Sequence, residues 1–110
     1  MKIDLKLSES QLGVLIYSFA KLEKVVPQQK EVRMARSILD KIAIKFKKKY
    51  IEISHQSNLF NKTKKHKFSL EYYEAYHLES FAEIMYTHPL SDYDRNVIGF
   101  IKNTLNQKLA

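Results

Sequence analysis

Residues 2–22 have the sequence KIDLKLSESQLGVLIYSFAKL, and two different periodicities meet within this stretch. The first part alternates polar and apolar side chains, which places Ile3, Leu5 and Leu7 on one side of the chain and predicts a half-buried strand. After Ser8 the apolar residues recur every three or four positions, as they do along one face of a helix. The stretch therefore predicts a strand that leads directly into a helix.

The first helix has a recognisable start and end. Ser8 is a suitable N-cap, and Gln11 stands three residues later, which is the spacing of a capping box. Pro27 interrupts helical hydrogen bonding, so we expect the helix to run from Glu9 to about Val26. Its apolar stripe consists of Leu12, Leu15, Ile16, Phe19, Leu22 and Val26.

A second helix is expected from Gln28 to about Ser54, although part of it has an alternative interpretation. Residues 42–46 alternate apolar and polar side chains, so they could form a strand that turns at 47–49 and returns through 50–53. We favour a helix because no stop signal interrupts the apolar stripe. That stripe consists of Val32, Ala35, Ile38, Leu39, Ile42 and Phe46.

The second half of the chain follows the same order of elements. Residues 54–66 are polar and aperiodic, which predicts a long loop. A short strand at 67–70 precedes a third helix at 71–88, which Pro89 stops. Ser91 or Asp92 then caps a fourth helix, at about 93–108, with the apolar stripe Val97, Ile98, Ile101, Leu105 and Leu109.

These elements predict an α+β fold that is mainly α-helical. Apolar positions recur 63 residues apart, as in the pairs Leu7 with Leu70 and Leu15 with Leu78. We therefore expect one domain, 1–110, built as a pseudo-repeated β-α-α-β-α-α arrangement with halves at about 1–54 and 65–110. The polar, basic loop 54–66 joins the halves, and four helices cover one face of a two-stranded antiparallel ribbon.

The composition excludes several kinds of chemistry. The chain has no cysteine, so disulfides, thiolate zinc sites and thiol nucleophiles are excluded, and a cytoplasmic location is expected. Its two glycines, Gly13 and Gly99, form no phosphate-binding loop. The four histidines lie eleven residues apart without a metal-ligand motif. We expect no metal, no cofactor, no membrane span and no small-molecule substrate.

Charge is distributed unevenly along the chain, whose net charge is +7. Residues 21–67 contain 14 Lys and Arg against 4 Asp and Glu, whereas residues 68–94 contain 6 acidic residues and no Lys or Arg. A basic segment of this kind is typical of proteins that bind phosphate backbones. Arginine is scarce beside lysine, so we expect backbone contacts rather than base readout.

We predict that the basic segment is a nucleic-acid-binding surface. The aromatic residues Phe46, Tyr50 and Phe60 are interleaved with its lysines and could stack on unpaired bases. The alternative is a solvated lysine face with these aromatic rings in the core. The predicted binding residues are Lys41, Lys45, Lys47, Lys48, Lys49, Lys62, Lys64, Lys65 and Lys67.

The third helix is acidic and rich in tyrosine, which favours a protein interface formed by Tyr72, Tyr73 and Tyr76. The alternative places the tyrosines at the margin of a core made of Leu78, Phe81, Ile84 and Met85. Glu79 and Glu83 are spaced like paired carboxylates, but solvated helix faces commonly show this pattern. Neither is linked in sequence to a nucleophile or a base, so we predict no catalytic residue.

Together these features predict a small, non-catalytic binding or regulatory protein that docks on nucleic acid or a nucleoprotein complex. Its size, basic charge and lack of motifs are typical of an inhibitor or accessory factor encoded by a phage or mobile element. The alternative is a protein–protein interaction module, or a homodimer, that uses the tyrosine-rich third helix. We favour neither a helix-turn-helix DNA reader nor a membrane-surface helix, because the recognition helix and the interfacial Trp are both lacking.

Overall fold

The computed structural model describes residues 2–22, 30–56, 64–88 and 90–110, with side chains at 2–21, 36–55, 64–88 and 90–110. It confirms a mainly helical α+β fold with the order β-α-α-β-α-α and a two-stranded antiparallel sheet. The elements are β1 (Lys2–Leu7), α1 (Glu9–Leu22), α2 (Lys30–Gln56), β2 (His66–Glu71), α3 (Tyr72–Tyr86) and α4 (Asp92–Leu109). The predicted end of the first helix at Val26, both prolines and positions 57–63 of the predicted loop lie outside the described residues.

The structure decides the helix-or-strand question in favour of a continuous α2. This helix runs through positions 42–53 without interruption and ends at Gln56, so the strand interpretation is wrong. Burial explains the outcome. In a strand, Ile42 and Ile44 would share one face, yet Ile42 is fully buried and Ile44 is 54% exposed. Leu39, Ile42, Phe46 and Ile53 are buried instead, at helical spacing.

Side-chain caps fix the starts of three helices. The backbone N–H of Ser8 donates to Gln11 Oε1 at 2.9 Å, and that of Gln11 donates to Ser8 Oγ at 3.3 Å, which confirms the predicted capping box. Ser91 caps α4 by accepting from the Asp94 N–H at 3.2 Å. Glu71 ends β2 and serves as the N-cap of α3, so this helix begins one residue later than the sequence predicts.

The sheet has one polar and one buried face. Lys2 forms an ion pair with Glu71 (Nζ–Oε1, 2.6 Å), and the Ser69 hydroxyl donates to Asp4 Oδ1 at 3.0 Å. Both pairs fit one antiparallel register, in which Leu7 lies opposite His66. The opposite face carries the buried residues Ile3, Leu5, Leu7, Phe68 and Leu70.

The chain divides into two compact units, of which one, Leu7–His66, contains α1 and α2. The rings of Phe19 and Phe46 stack with centroids 6.4 Å apart. Nearer the start of α1, Gly13 lies beside the Tyr50 ring. These two contacts show that the helices run antiparallel.

The other unit, Met1–Lys6 with Lys67–Ala110, contains most of both strands together with α3 and α4. Tyr86 of α3 lies across α4 above Gly99, with the Arg95 guanidinium carbon 5.6 Å and the Lys102 ammonium 4.8 Å from its ring centroid. The predicted α4 stripe of Val97, Ile98, Ile101 and Leu105 is buried, whereas Leu109 is only half-buried. The expectation of one domain with repeated halves stays a prediction.

The two helical glycines provide a matched test of the packing within each pair of helices. An added Cβ at Gly13 would lie 3.4 Å from Tyr50 Oη, which is ordinary contact, whereas at Gly99 it would lie 3.1 Å from Tyr86 Cε2. We expect Gly13→Ala to raise the free energy of unfolding by about 0.5–1 kcal/mol through helix propensity. For Gly99→Ala we expect little or none of this gain, because Arg95 and Lys102 hold the Tyr86 ring against the position of the added methyl group. Urea denaturation of both variants tests this, and equal gains would contradict the Tyr86 packing.

Candidate nucleic-acid interface

The fold concentrates positive charge in one of its two units. Leu7–His66 contains 13 Lys and Arg against 5 Asp and Glu, a net charge of +8. The other unit contains 6 basic and 7 acidic residues, a net charge of −1. The unit that contains α1 and α2 is therefore the more positively charged part of the molecule.

Three of the predicted lysines form a ridge on the outer side of α2. Lys41, Lys45 and Lys48 stand at positions i, i+4 and i+7, and all three side chains are exposed. They extend over about 10 Å of the helix axis. The buried residues of α2 lie on the opposite side of the helix, so this lysine ridge faces outward.

A second group of lysines lies near the start of α1. Lys65 donates to Gln11 Oε1 at 2.6 Å, which ties it to the capping box. Burial lowers the pKa of His66, and the nearby charges of Lys64 and Lys49 lower it further. These interactions show that Lys49, Lys64 and Lys65 gather at one end of the unit, beside a histidine that is neutral at pH 7.

The remaining predicted lysines do not join either group. Lys47 is half-buried on another side of α2. Lys67 is exposed on β2 in the other unit, on the polar face of the sheet. Lys62 lies outside the described residues.

The prediction that Phe46 stacks on bases is wrong. Phe46 is fully buried against Phe19, and Tyr50 is half-buried beside Gly13, because both rings lie on the inner side of α2. Phe60 lies outside the described residues. The structure assigns Phe46 and Tyr50 to the interior of the helical pair.

Two exposed isoleucines, which the sequence patterns did not single out, lie beside the lysine ridge. Ile44 and Ile51 are 54% and 58% exposed, and their seven-residue spacing places them on one flank of the outer side of α2. Both isoleucines fall outside the predicted apolar stripe of this helix. Their position outside the stripe is the sequence signal that could have identified them as exposed. The basic face of α2 therefore combines charge with aliphatic surface.

A shallow depression also lies within this unit. It has a volume of about 270 Å³ and is lined by Glu9, Ser10, Gly13 and Tyr50. Its lining includes no lysine or arginine side chain that could hold a phosphate. The depression therefore adds nothing to a nucleic-acid surface, and the ridge on α2 remains the candidate interface.

The predicted tyrosine interface is exposed on α3. Tyr73 and Tyr76 are 56% and 54% exposed, while Tyr72 is tied to the end of α4 by a hydrogen bond from its hydroxyl to the Leu109 carbonyl. The alternative that counted Ile84 among core residues is wrong, because Ile84 is 60% exposed. Leu78, Phe81 and Met85 are buried as that alternative expects.

Glu79 differs from the solvated residue that its sequence pattern suggests. It is 7% exposed, and its Oε1 atom has no hydrogen-bond partner in the described part of the chain. Burial raises the pKa of this carboxyl, and the nearby Glu83 raises it further, while a hydrogen bond with Asn106 opposes the shift. Glu79 is thus a buried carboxyl group on α3 with Asn106 of α4 beside it.

Comparison with known proteins gives no match, whether against protein-family models, curated proteins or solved structures. Within the described residues, no helix has the length and hydrophobicity needed to cross a membrane. No group of three His, Cys, Asp or Glu side chains in residues 2–22, 30–56, 64–88 and 90–110 is placed to hold a metal ion.

We expect Glu79→Gln to stabilise the protein near pH 7. The pKa of Glu79 in the folded protein lies above its ordinary value of 4.5. At a pH between the ordinary pKa and the raised pKa, the folded protein binds more protons than the unfolded chain. The free energy of unfolding therefore falls as pH rises through that window. Glutamine does not titrate, so the variant should melt at a higher temperature at pH 7, with a smaller difference below pH 4.5. Thermal melts across pH test this, with the exposed Glu52→Gln as control.

Proposed function

We propose that this protein is a non-catalytic factor that binds nucleic acid, free or within a nucleoprotein complex, through the phosphate backbone. The lysine ridge formed by Lys41, Lys45 and Lys48 is the observation that carries this proposal. It presents three exposed lysine side chains in one row, on the unit with a net charge of +8. A role as an inhibitor or accessory factor of a phage or mobile element is consistent with such binding.

Lysine contacts determine what kind of binding is expected. An ammonium group neutralises a phosphate and releases condensed counterions, so affinity falls steeply as salt rises. It carries little information about the base sequence. No arginine is part of the ridge. We therefore expect affinity that depends on ionic strength and only weakly on base sequence.

The test is a salt titration with a triple variant. Lys41→Gln, Lys45→Gln and Lys48→Gln together should weaken binding to a labelled oligonucleotide, measured by fluorescence anisotropy, and reduce the slope of log K against log salt by about 2 to 3. The matched control is Lys6→Gln, Lys102→Gln and Lys108→Gln, which removes the same charge from the other unit. Thermal melts of both variants establish that each remains folded.

The control variant distinguishes binding at the lysine ridge from general attraction to the net positive charge of the protein. If both triple variants lose affinity equally, net charge alone governs binding and the ridge is not the site. If the unmodified protein binds neither DNA nor RNA at low salt, the proposed function is wrong.

The tyrosine face of α3 supports a second candidate, a protein–protein interaction that includes self-association. Tyr73, Tyr76 and Ile84 give this helix three large side chains that are each more than half exposed. Exposed tyrosines combine large contact area with few rotatable bonds, which is typical of residues that dominate binding energy at interfaces.

For this candidate we expect the double variant Tyr73→Ala and Tyr76→Ala to convert a self-associated protein to a monomer in size-exclusion chromatography with light scattering. Tyr93→Ala is the control, because Tyr93 is equally exposed but lies on α4. A protein that is monomeric at high concentration before any substitution would exclude self-association.

A further inference from the structure

Resting on the proposed function, we infer that the nucleic acid is a duplex, and that Ile44 and Ile51 pack against its groove edge beside the phosphates held by the lysine ridge. The chemistry of the outer face of α2, over residues 36–55 where its side chains are described, supports this. That face contains ammonium groups, aliphatic side chains and the exposed carboxylates of Asp40 and Glu52, whereas Phe46 and Tyr50 lie on the inner side of the helix.

The two kinds of side chain form adjacent rows on α2. Lys41 and Lys48 are seven residues apart, as are Ile44 and Ile51, so each pair extends about 10 Å along the helix. Helical geometry of about 100° per residue places the isoleucines roughly 60° to one side of the lysines. One face therefore presents a row of lysines with a parallel row of isoleucines, with Glu52 in line with the lysines and Asp40 in line with the isoleucines.

A duplex offers the matching pattern. Each strand presents a row of phosphates, and the sugars beside it form an apolar edge to the minor groove. Proteins that bind duplexes from this groove insert apolar side chains, isoleucine included, between base steps, and the sugars at the groove edge offer an apolar contact that needs no insertion. The lysine row and the isoleucine row can therefore contact phosphates and sugars of the same strand, which accounts for the two exposed isoleucines within a basic surface.

A single strand fits this face less well. Proteins that bind unpaired nucleic acid stack the bases on exposed aromatic rings. Phe46 is buried and Tyr50 is half-buried. In the described part of this unit the large exposed ring is Tyr17 of α1, and the Lys21 ammonium lies 4.8 Å from its centroid. Tyr17 lies on α1 rather than in the lysine ridge.

The experiment compares four ligands of equal length: duplex DNA, duplex RNA, and single strands of each. We expect Ile44→Ala with Ile51→Ala to weaken duplex binding by about fivefold or more, with an unchanged salt slope and little effect on single strands. Tyr93→Ala, which removes an equally exposed large side chain from α4, should leave all affinities unchanged. Comparison of the affinities for the DNA duplex and the RNA duplex shows which of the two nucleic acids supplies the phosphates.

Failure of this inference is distinguishable from failure of the proposed function. If Tyr17→Ala weakens single-strand binding and single strands bind as tightly as duplexes, the partner is unpaired nucleic acid and the inference is overturned. Equal losses for duplexes and single strands in the isoleucine variant would also overturn it. The proposed function itself fails only if the lysine variant behaves like its control or no nucleic acid is bound.

Discussion

The pairing of β1 with β2 constrains the path of the chain through α1 and α2. It joins residues near the start of the chain to residues 66–71, so it closes a long loop that contains α1 and α2. Closing such a loop costs conformational entropy, which the buried face of the sheet offsets. The register places Leu7 opposite His66, and the two ends of the unit Leu7–His66 therefore meet. Lys65 can then reach the capping box of α1, although 54 residues separate it from Gln11.

Each pair of helices is held together by contacts within its own unit. In Leu7–His66 the stacked rings of Phe19 and Phe46 lie between α1 and α2. In the other unit Tyr86 crosses α4 above Gly99, where the absence of a Cβ allows the ring to approach. Because these contacts use the inner sides of the helices, the outer sides are left to determine how the protein meets other molecules.

The outer sides of α2 and α3 differ in chemistry, and the proposed function is based on this difference. α2 presents lysines with two isoleucines and the acidic residues Asp40 and Glu52, whereas α3 presents tyrosines with Ile84 and Glu83 and no lysine. The lysines of α2 attract a polyanion, whereas the acidic surface of α3 repels it. The buried Glu79 belongs to neither surface. The raised pKa of Glu79 follows from the burial of its carboxyl group, so packing alone accounts for it.

Local periodicity and charge were enough to predict the order of elements, the capping box at Ser8 and the basic character of the segment that contains α2. They left the helix-or-strand question open at 42–53, since a short alternating run satisfies both patterns. Which side chains reach the surface depends on tertiary packing. Phe46 is buried and Ile44 is exposed because the rotation of α2 against α1 sets which side faces inward. The same packing selects Lys41, Lys45 and Lys48 from nine predicted lysines as one ridge, since position on a helix face, and not abundance, determines which charges act together.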